Sequence, residues 1–274
     1  MDLVRWQVGF GVRYPGSDGH RALGESLGQR IADMGLEVVS QPFTVQLGGQ
    51  WQDCTNVVAR LGPRDAPPGL ILGTHWDTRI VADRETDPDR AASPIPGAND
   101  GGSGTAVLLY LLSLLRGADL RREVQIAFLD AEDVGNLDGN PFAVGAAHLA
   151  RNPIGGHPEA MIGLDMVGGR NMVLDRDAHA LRHFPTRALT DELFEIGRTL
   201  GHLPFYATKP GQRKYIVSDH SPFLMQGIPA AILIDIDYPP WHTQGDLPDA
   251  MDGLSLAAVL AVVATYLERH LLIT

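Results

Sequence analysis

Val124-Gln-Ile-Ala-Phe-Leu-Asp-Ala-Glu-Asp133 decides how this chain folds. Its first six residues form a mostly apolar run of strand length, the pattern of a strand covered on both faces rather than one with a wet side. Directly after the run come Asp130, Glu132 and Asp133. Three other stretches share this build: Leu70-Ile-Leu-Gly-Thr74 leads to His75 and Asp77, Met161-Ile-Gly-Leu164 to Asp165, and Ala230-Ala-Ile-Leu-Ile234 to Asp235 and Asp237. Helical patterns near 104–115, 143–150, 186–200 and 255–272 interleave with these runs. The expectation is an α/β three-layer sandwich, with a central, mixed but mostly parallel twisted sheet and helices on both faces. In open sheets of this kind ligands bind beyond the carboxyl ends of the strands, so one crevice is expected to receive all of these polar residues.

Upstream, Leu23, Leu27, Ile31 and Met34 recur at helical spacing and Gly35 ends the helix. Residues 36–47 and 56–61 read as strands, with a Gly/Pro turn before the strand at 70–74. The polar, Pro-containing segment 83–96 reads either as an ordered active-site loop or as a loose insertion. Apolar runs recur evenly with no Ser/Gly-rich linker, so residues 1–274 are expected to form a single domain.

A net charge of −11 and the lack of a basic face argue against nucleic acid and anionic membranes as partners. Cys54 is the sole cysteine, which excludes an intrachain disulfide and any paired-thiolate site. No apolar run reaches the roughly 18 residues of a membrane span, and the chain opens without a signal-like segment. As written, it is expected in the cytoplasm, or in the periplasm or outside the cell if a leader was trimmed.

Gly97-Ala-Asn-Asp100 and Trp241-His-Thr243 join the opening stretch to supply Asp100, Asp133 and His242. Two carboxylates and one imidazole are the set that holds a catalytic zinc with one position open for substrate. Each residue alone has an ordinary reading: Asp100 as a helix cap, Asp133 as a salt-bridge partner, His242 as a surface-loop histidine. The adjacency of Glu132 and Asp133 favours the metal, because neighbouring carboxylates repel unless a cation relieves them. Asp133 is therefore assigned to the metal and Glu132 to proton transfer. His75 and Asp165 would either bind a second metal or hydrogen-bond behind the first, and Asp77, Ser218 and Asp219 are grouped with that choice. Trp241, Tyr238 and Phe142 are the aromatic candidates for the substrate pocket, against a plain packing role for each. His220 reads as a structural histidine, and no strand-elbow-helix motif supports a serine triad from Ser103 or Ser221.

With these residues the chain resembles the zinc-dependent glutaminyl cyclases of the animal type and their bacterial relatives, which share the fold of the M28 zinc aminopeptidases. The likeness runs through Arg13-Tyr-Pro-Gly-Ser17, His75-Trp-Asp-Thr-Arg79, Pro96-Gly-Ala-Asn-Asp-Gly101, Phe128-Leu-Asp-Ala-Glu-Asp133, Leu164-Asp-Met-Val-Gly168, Asp219-His220 and Trp241-His-Thr243. The long stretch between Asp77 and Asp100, the Glu132-Asp133 pair followed by Val134-Gly135, and Trp241 before His242 lean toward the cyclases. The resemblance implies one zinc on Asp100, Asp133 and His242, Glu132 as proton shuttle, Asp165 in an acidic hydrogen-bond network and Trp241 lining the pocket. The implied reaction converts N-terminal glutamine of peptides or proteins to pyroglutamate with release of ammonia, by a chain expected to be a monomer. Ser218 departs from the aspartate typical of the cyclases, and Ser-Asp-His is frequent in the aminopeptidases. The alternatives are therefore a two-zinc aminopeptidase and an inactive binding protein on the same scaffold.

Overall fold

In the computed structural model, which describes residues 1–206 and 214–272, the apolar runs become strands of one sheet. The strands are β1 (Glu37–Leu47), β2 (Gln50–Leu61), β3 (Leu70–His75), β4 (Val124–Leu129), β5 (Met161–Asp165) and β6 (Ala230–Ile234). Their spatial order is β1-β2-β4-β3-β5-β6. β4, β3, β5 and β6 run parallel, and β1 and β2 add an antiparallel hairpin beside β4.

Alternation along β4 explains the two covered faces. Ile126 and Phe128 point into a core built with α1 (Asp2–Val8), α2 (Asp18–Asp33), α4 (Gly102–Leu115), α6 (Phe184–Thr199) and α8 (Gly253–His270). Ala127 and Leu129 face the opposite way, toward α5 (Val144–Arg151) and α7 (Ser221–Met225). Successive side chains of a strand point to opposite faces, so an unbroken apolar run is what burial on both sides requires. The short α3 (Pro88–Ala91) lies within the 83–96 segment, whose Asp83 and Glu85 hydrogen-bond the His242 ring and the Gln244 N–H.

β2 starts at Gln50, six residues before the strand expected at 56, because Gly48 and Gly49 adopt φ of 64° and 73° and close a tight hairpin pairing Leu47 with Gln50. Only Val57–Leu61 of β2 also pairs with β4, so its outer half carries polar residues and the exposed Trp51. Helix α1 was not expected from the pattern; seven residues with Val4 and Gln7 buried are too few to display a period.

Because β3 lies between β4 and β5, the connections after these three strands emerge side by side at the carboxyl edge. Helix α4 begins at that edge and crosses close beneath it. Its Gly104 has no room for a side chain, since an added methyl would collide with Thr74 Oγ1 and lie 2.6 Å from the Leu164 carbonyl oxygen. Gly104→Ala should therefore lower stability by about 1–3 kcal/mol in denaturant titration; an unchanged midpoint would show that α4 has freedom to move away from the sheet.

Candidate active site

Three non-glycine residues with positive φ shape the carboxyl edge: Ala131 at 55°, Met166 at 47° and His242 at 55°. Such conformations cost energy and persist where the surroundings hold them. Each bends the chain beside or at a polar residue of interest: Glu132, Asp165 and His242 itself.

Two buried carboxylates then clamp the bends. Asp77 accepts hydrogen bonds from the backbone N–H of Glu132 at 3.0 Å and of Asp133 at 3.1 Å. Asp246 does the same for Asn99 at 2.9 Å and Asp100 at 3.0 Å, and receives the Tyr238 hydroxyl at 3.0 Å. Gly97 and Gly101 take φ of 63° and 79° around Asp100, and a side chain at Gly101 would press on the Asp77 carbonyl. Arg13, fully buried, donates to the carbonyls of Trp76, Pro96 and Gly97, tying the loop after β3 to the Asp100 loop.

The 83–96 loop orients the histidine. Asp83 Oδ1 lies 2.8 Å from His242 Nδ1, and His242 Nε2 lies 3.1 Å from Asp133 Oδ1. A carboxylate on Nδ1 leaves Nε2 as the ligand atom. Although partial burial opposes its charge, hydrogen bonds with His242 and Arg79 draw the Asp83 carboxyl down to about 2. Arg79 also donates to the carbonyl oxygens of Asp133 and Gly135, joining this loop to the one after β4.

Asp100, Glu132, Asp133, Asp165, His242, Trp241 and Phe142 all line one cavity of about 650 Å³. His75 sits beneath it, its Nε2 3.2 Å from Asp100 Oδ1 and 3.4 Å from Asp165 Oδ1. Ser218 Oγ donates to Asp165 Oδ2 at 2.9 Å, and Asp219 is buried alongside. Burial raises the Glu132 carboxyl well above the usual range, and the charge of Asp133 adds to the shift. Burial, with the charge of Asp133, pushes Asp100 up to about 7. Burial alone would lower His242, but Asp133 reverses this and raises it to about 10. Negative charge crowds the site and calls for a cation.

The side chains fit one. Asp100 Oδ2 and Asp133 Oδ2 are both buried without a hydrogen-bond partner among the described residues. His242 Nε2 stands 3.6 Å from the first residue's Oδ2 and 3.1 Å from the second's Oδ1. Ligand atoms about 2.0–2.1 Å from a tetrahedral zinc lie roughly 3.3 Å apart, so each of these two imidazole–carboxylate separations suits a shared ion; Asp100 and Asp133 also form, with His75, a group whose donor atoms all lie within 4.8 Å of one another.

Other expected positions fall elsewhere. Tyr238, expected at the pocket mouth, is buried beneath it, because its hydroxyl supports Asp246 and its ring packs over Gly169. Asp130 turns away from the crevice: Thr55 N–H and His20 Nε2 hold it at 2.7 Å and 2.8 Å on the α2 side. Asp235 accepts from Val173 N–H and does not line the cavity, whereas Asp237 does. His220 bonds Asp177 at 3.2 Å, a structural contact. Asp83, Asp246 and Arg13 had no role in the sequence reading beyond Arg13's place in a motif. The one available signal was the polar character of the 83–96 segment.

A carboxylate–imidazole cluster at the switch point of a largely parallel sheet defines a metal-dependent α/β enzyme. The chain belongs to peptidase family M28, which matches residues 56–267. It is similar to the glutaminyl cyclase of Porphyromonas gingivalis, with 31% identity and a TM-score of 0.88 over 98% of this chain and 96% of that one. It is also similar to a Zn-dependent exopeptidase from Parabacteroides distasonis ATCC 8503, at 27% identity and a TM-score of 0.88 over 97% and 95% of the two chains. Among characterised sequences it is 26% identical to the glutaminyl-peptide cyclotransferase of Bos taurus, over 94% of this chain and 78% of that protein.

The amide clamp makes a measurable claim. Asp77→Ala should free the backbone of Glu132 and Asp133 and weaken zinc retention roughly 10- to 100-fold in chelator competition; unchanged retention would mean the loop after β4 holds its shape without Asp77.

Proposed function

We propose that this enzyme converts the N-terminal glutamine of peptides and proteins to pyroglutamate, releasing ammonia, with a single zinc held by Asp100, Asp133 and His242. The observation that carries the reading is Glu132, a buried carboxyl in the cavity wall beside Asp133, one oxygen of which is buried without a hydrogen-bond partner among the described residues. Similarity to glutaminyl cyclases from two kinds of organism, bacterial and bovine, supports the choice of substrate.

When bound, zinc would polarise the side-chain carbonyl of the substrate glutamine. The rest of the work falls to the chain. Attack of the α-amine on that carbonyl is intramolecular, so the cavity needs only to hold the folded conformer, and no water is consumed. Glu132 takes a proton from the amine as the ring closes and returns it to the departing amide nitrogen, which leaves as ammonia. Its raised proton affinity suits both halves of that task. Asp165, held by Ser218 and His75, keeps the acidic network in register behind Glu132. Trp241, with the Arg84 guanidinium 3.7 Å from its ring centre, and Phe142 form walls that limit the space beside the reacting amide.

One observation favours a second reading. The two oxygens of Asp100 face different imidazoles, Oδ1 toward His75 and Oδ2 toward His242. A carboxylate so placed suits a bridge between two cations, as an aminopeptidase would use, with Glu132 as general base toward water.

Glu132→Gln should reduce ammonia release from Gln-peptides by about 10²–10⁴-fold while zinc content stays unchanged. Retained turnover would remove Glu132 from the role. Metal analysis of the wild type separates the two readings: one zinc per chain with pyroglutamate formation supports the cyclase, and two with release of N-terminal Leu or Ala supports the peptidase.

A further inference from the structure

The catalytic cavity continues beyond its carboxylates. Ile216 and Val217, which form part of its wall, also line a neighbouring groove of about 660 Å³ that is completed by Leu224 and Met225 of α7 together with Asp177, His179, Arg182 and His183. A smaller hollow of about 200 Å³ on the other side of Val217 shares Phe142 with the catalytic cavity and Met225 with the groove. Apolar surface thus wraps around a single ridge residue at the cleft mouth.

The exposure on this ridge is high for such side chains: Val217 is 63% and Met225 80% accessible. Adjoining apolar residues left open beside a reaction centre mark a binding surface more than isolated ones do. The groove is also held open by its frame. Asp177 accepts from the backbone N–H of Ile216, His179 and Ala180 at 3.1, 3.0 and 2.9 Å and bonds His220 Nε2 at 3.2 Å, fixing the Ile216 segment against the turn at 179–182 and the start of α7. Within α7, Phe223 is fully buried, so Leu224 and Met225 are presented from an anchored element. A site that needs no reorganisation to admit an apolar group retains most of the burial energy.

Resting on the cyclase reading above, the geometry points to this groove as the subsite for the residues that follow glutamine, taking an apolar side chain at the second or third position of the peptide between Ile216, Val217, Leu224 and Met225. An extended chain advances about 3.3–3.6 Å per residue, so the residues that follow the glutamine are carried outward from the reacting amide toward the wall that the two spaces share. The occupant is the substrate itself because the two spaces share a wall.

The test compares ammonia release from Gln-Gly-Gly, Gln-Leu-Gly and Gln-Gly-Leu amides by wild type and by Met225→Asp, a change at an exposed position outside the catalytic set. Wild type should favour at least one Leu peptide over Gln-Gly-Gly by about 10-fold in kcat/KM, the scale of a modest apolar contact, and the gain should lie in KM because the contact is the same in ground and transition states. Met225→Asp should erase that preference while leaving the rate on Gln-Gly-Gly unaltered. Equal kcat/KM for all three peptides in the wild type would overturn the subsite while leaving the cyclase intact, as would a preference that survives Met225→Asp. A wild-type dimer that Met225→Asp converts to monomer in light scattering would assign the groove to a second copy of the chain and overturn the subsite. No pyroglutamate from any peptide would overturn the cyclase reading and this subsite together.

Discussion

Among the described residues, Asp77, Asp100, Glu132, Asp133 and Asp165 are all buried at one edge of the sheet, with the imidazoles of His75 and His242 placed among them. Repulsion between carboxylates withdrawn from water is the constraint to which the rest of the structure responds. Part of it is met by backbone N–H groups and by the buried Arg13 beneath the Asp100 loop and Arg79 beside Asp133. The remainder, on oxygens of Asp100, Asp133 and Asp219 that have no hydrogen-bond partner among the described residues, suits a divalent cation. A scaffold that only needed stability would replace such a cluster with apolar side chains, so its retention fits a role in chemistry rather than in holding the fold together.

One device is used twice to hold the cluster. Asp77 grips the successive amides of Glu132 and Asp133, and Asp246 grips those of Asn99 and Asp100. Each grip needs a rigid platform. Asp77 has it from the end of β3 among the parallel strands, and Asp246 from Tyr238, whose ring is buried and whose hydroxyl donates to it. The third donor, His242, is set by a loop rather than by the sheet, and the ion pair between Arg79 and Asp83 ties that loop to the core. Placement of charge and placement of backbone are therefore the same problem here. Whatever loosens a grip also moves a carboxylate.

Parallel strands β3 to β6 were readable because burial on both faces writes an unbroken apolar run into the chain. The outer half of β2 was not, since it pairs only with β1 and carries no such run. Among site residues, Asp100, Glu132, Asp133, Asp165 and His242 stood out as carboxylates or an imidazole at the ends of strands or next to glycines and a proline-stiffened turn. The structure places them around one cavity. Asp130 had the same local signature and faces the other way, because side-chain direction at a strand end depends on where the chain bends, here at Ala131. Asp83, Asp246 and Arg13 act only through partners distant along the chain, and a lone charged residue in a loop has no periodicity to announce such a partner.

The order of residues by itself determined the class of fold, the sign of the surface charge and the kinds of donor atom available at the sheet edge, because hydropathy alternation and side-chain chemistry are local properties. Tertiary structure alone decided which donors meet, that Asp100 stands between two imidazoles, that Tyr238 supports from below, and that Ile216 and Val217 wall both the cavity and a neighbouring groove. Distances of 3 to 4 Å between residues more than a hundred positions apart are set by how strands cross and loops are clamped. No neighbour in the sequence encodes them.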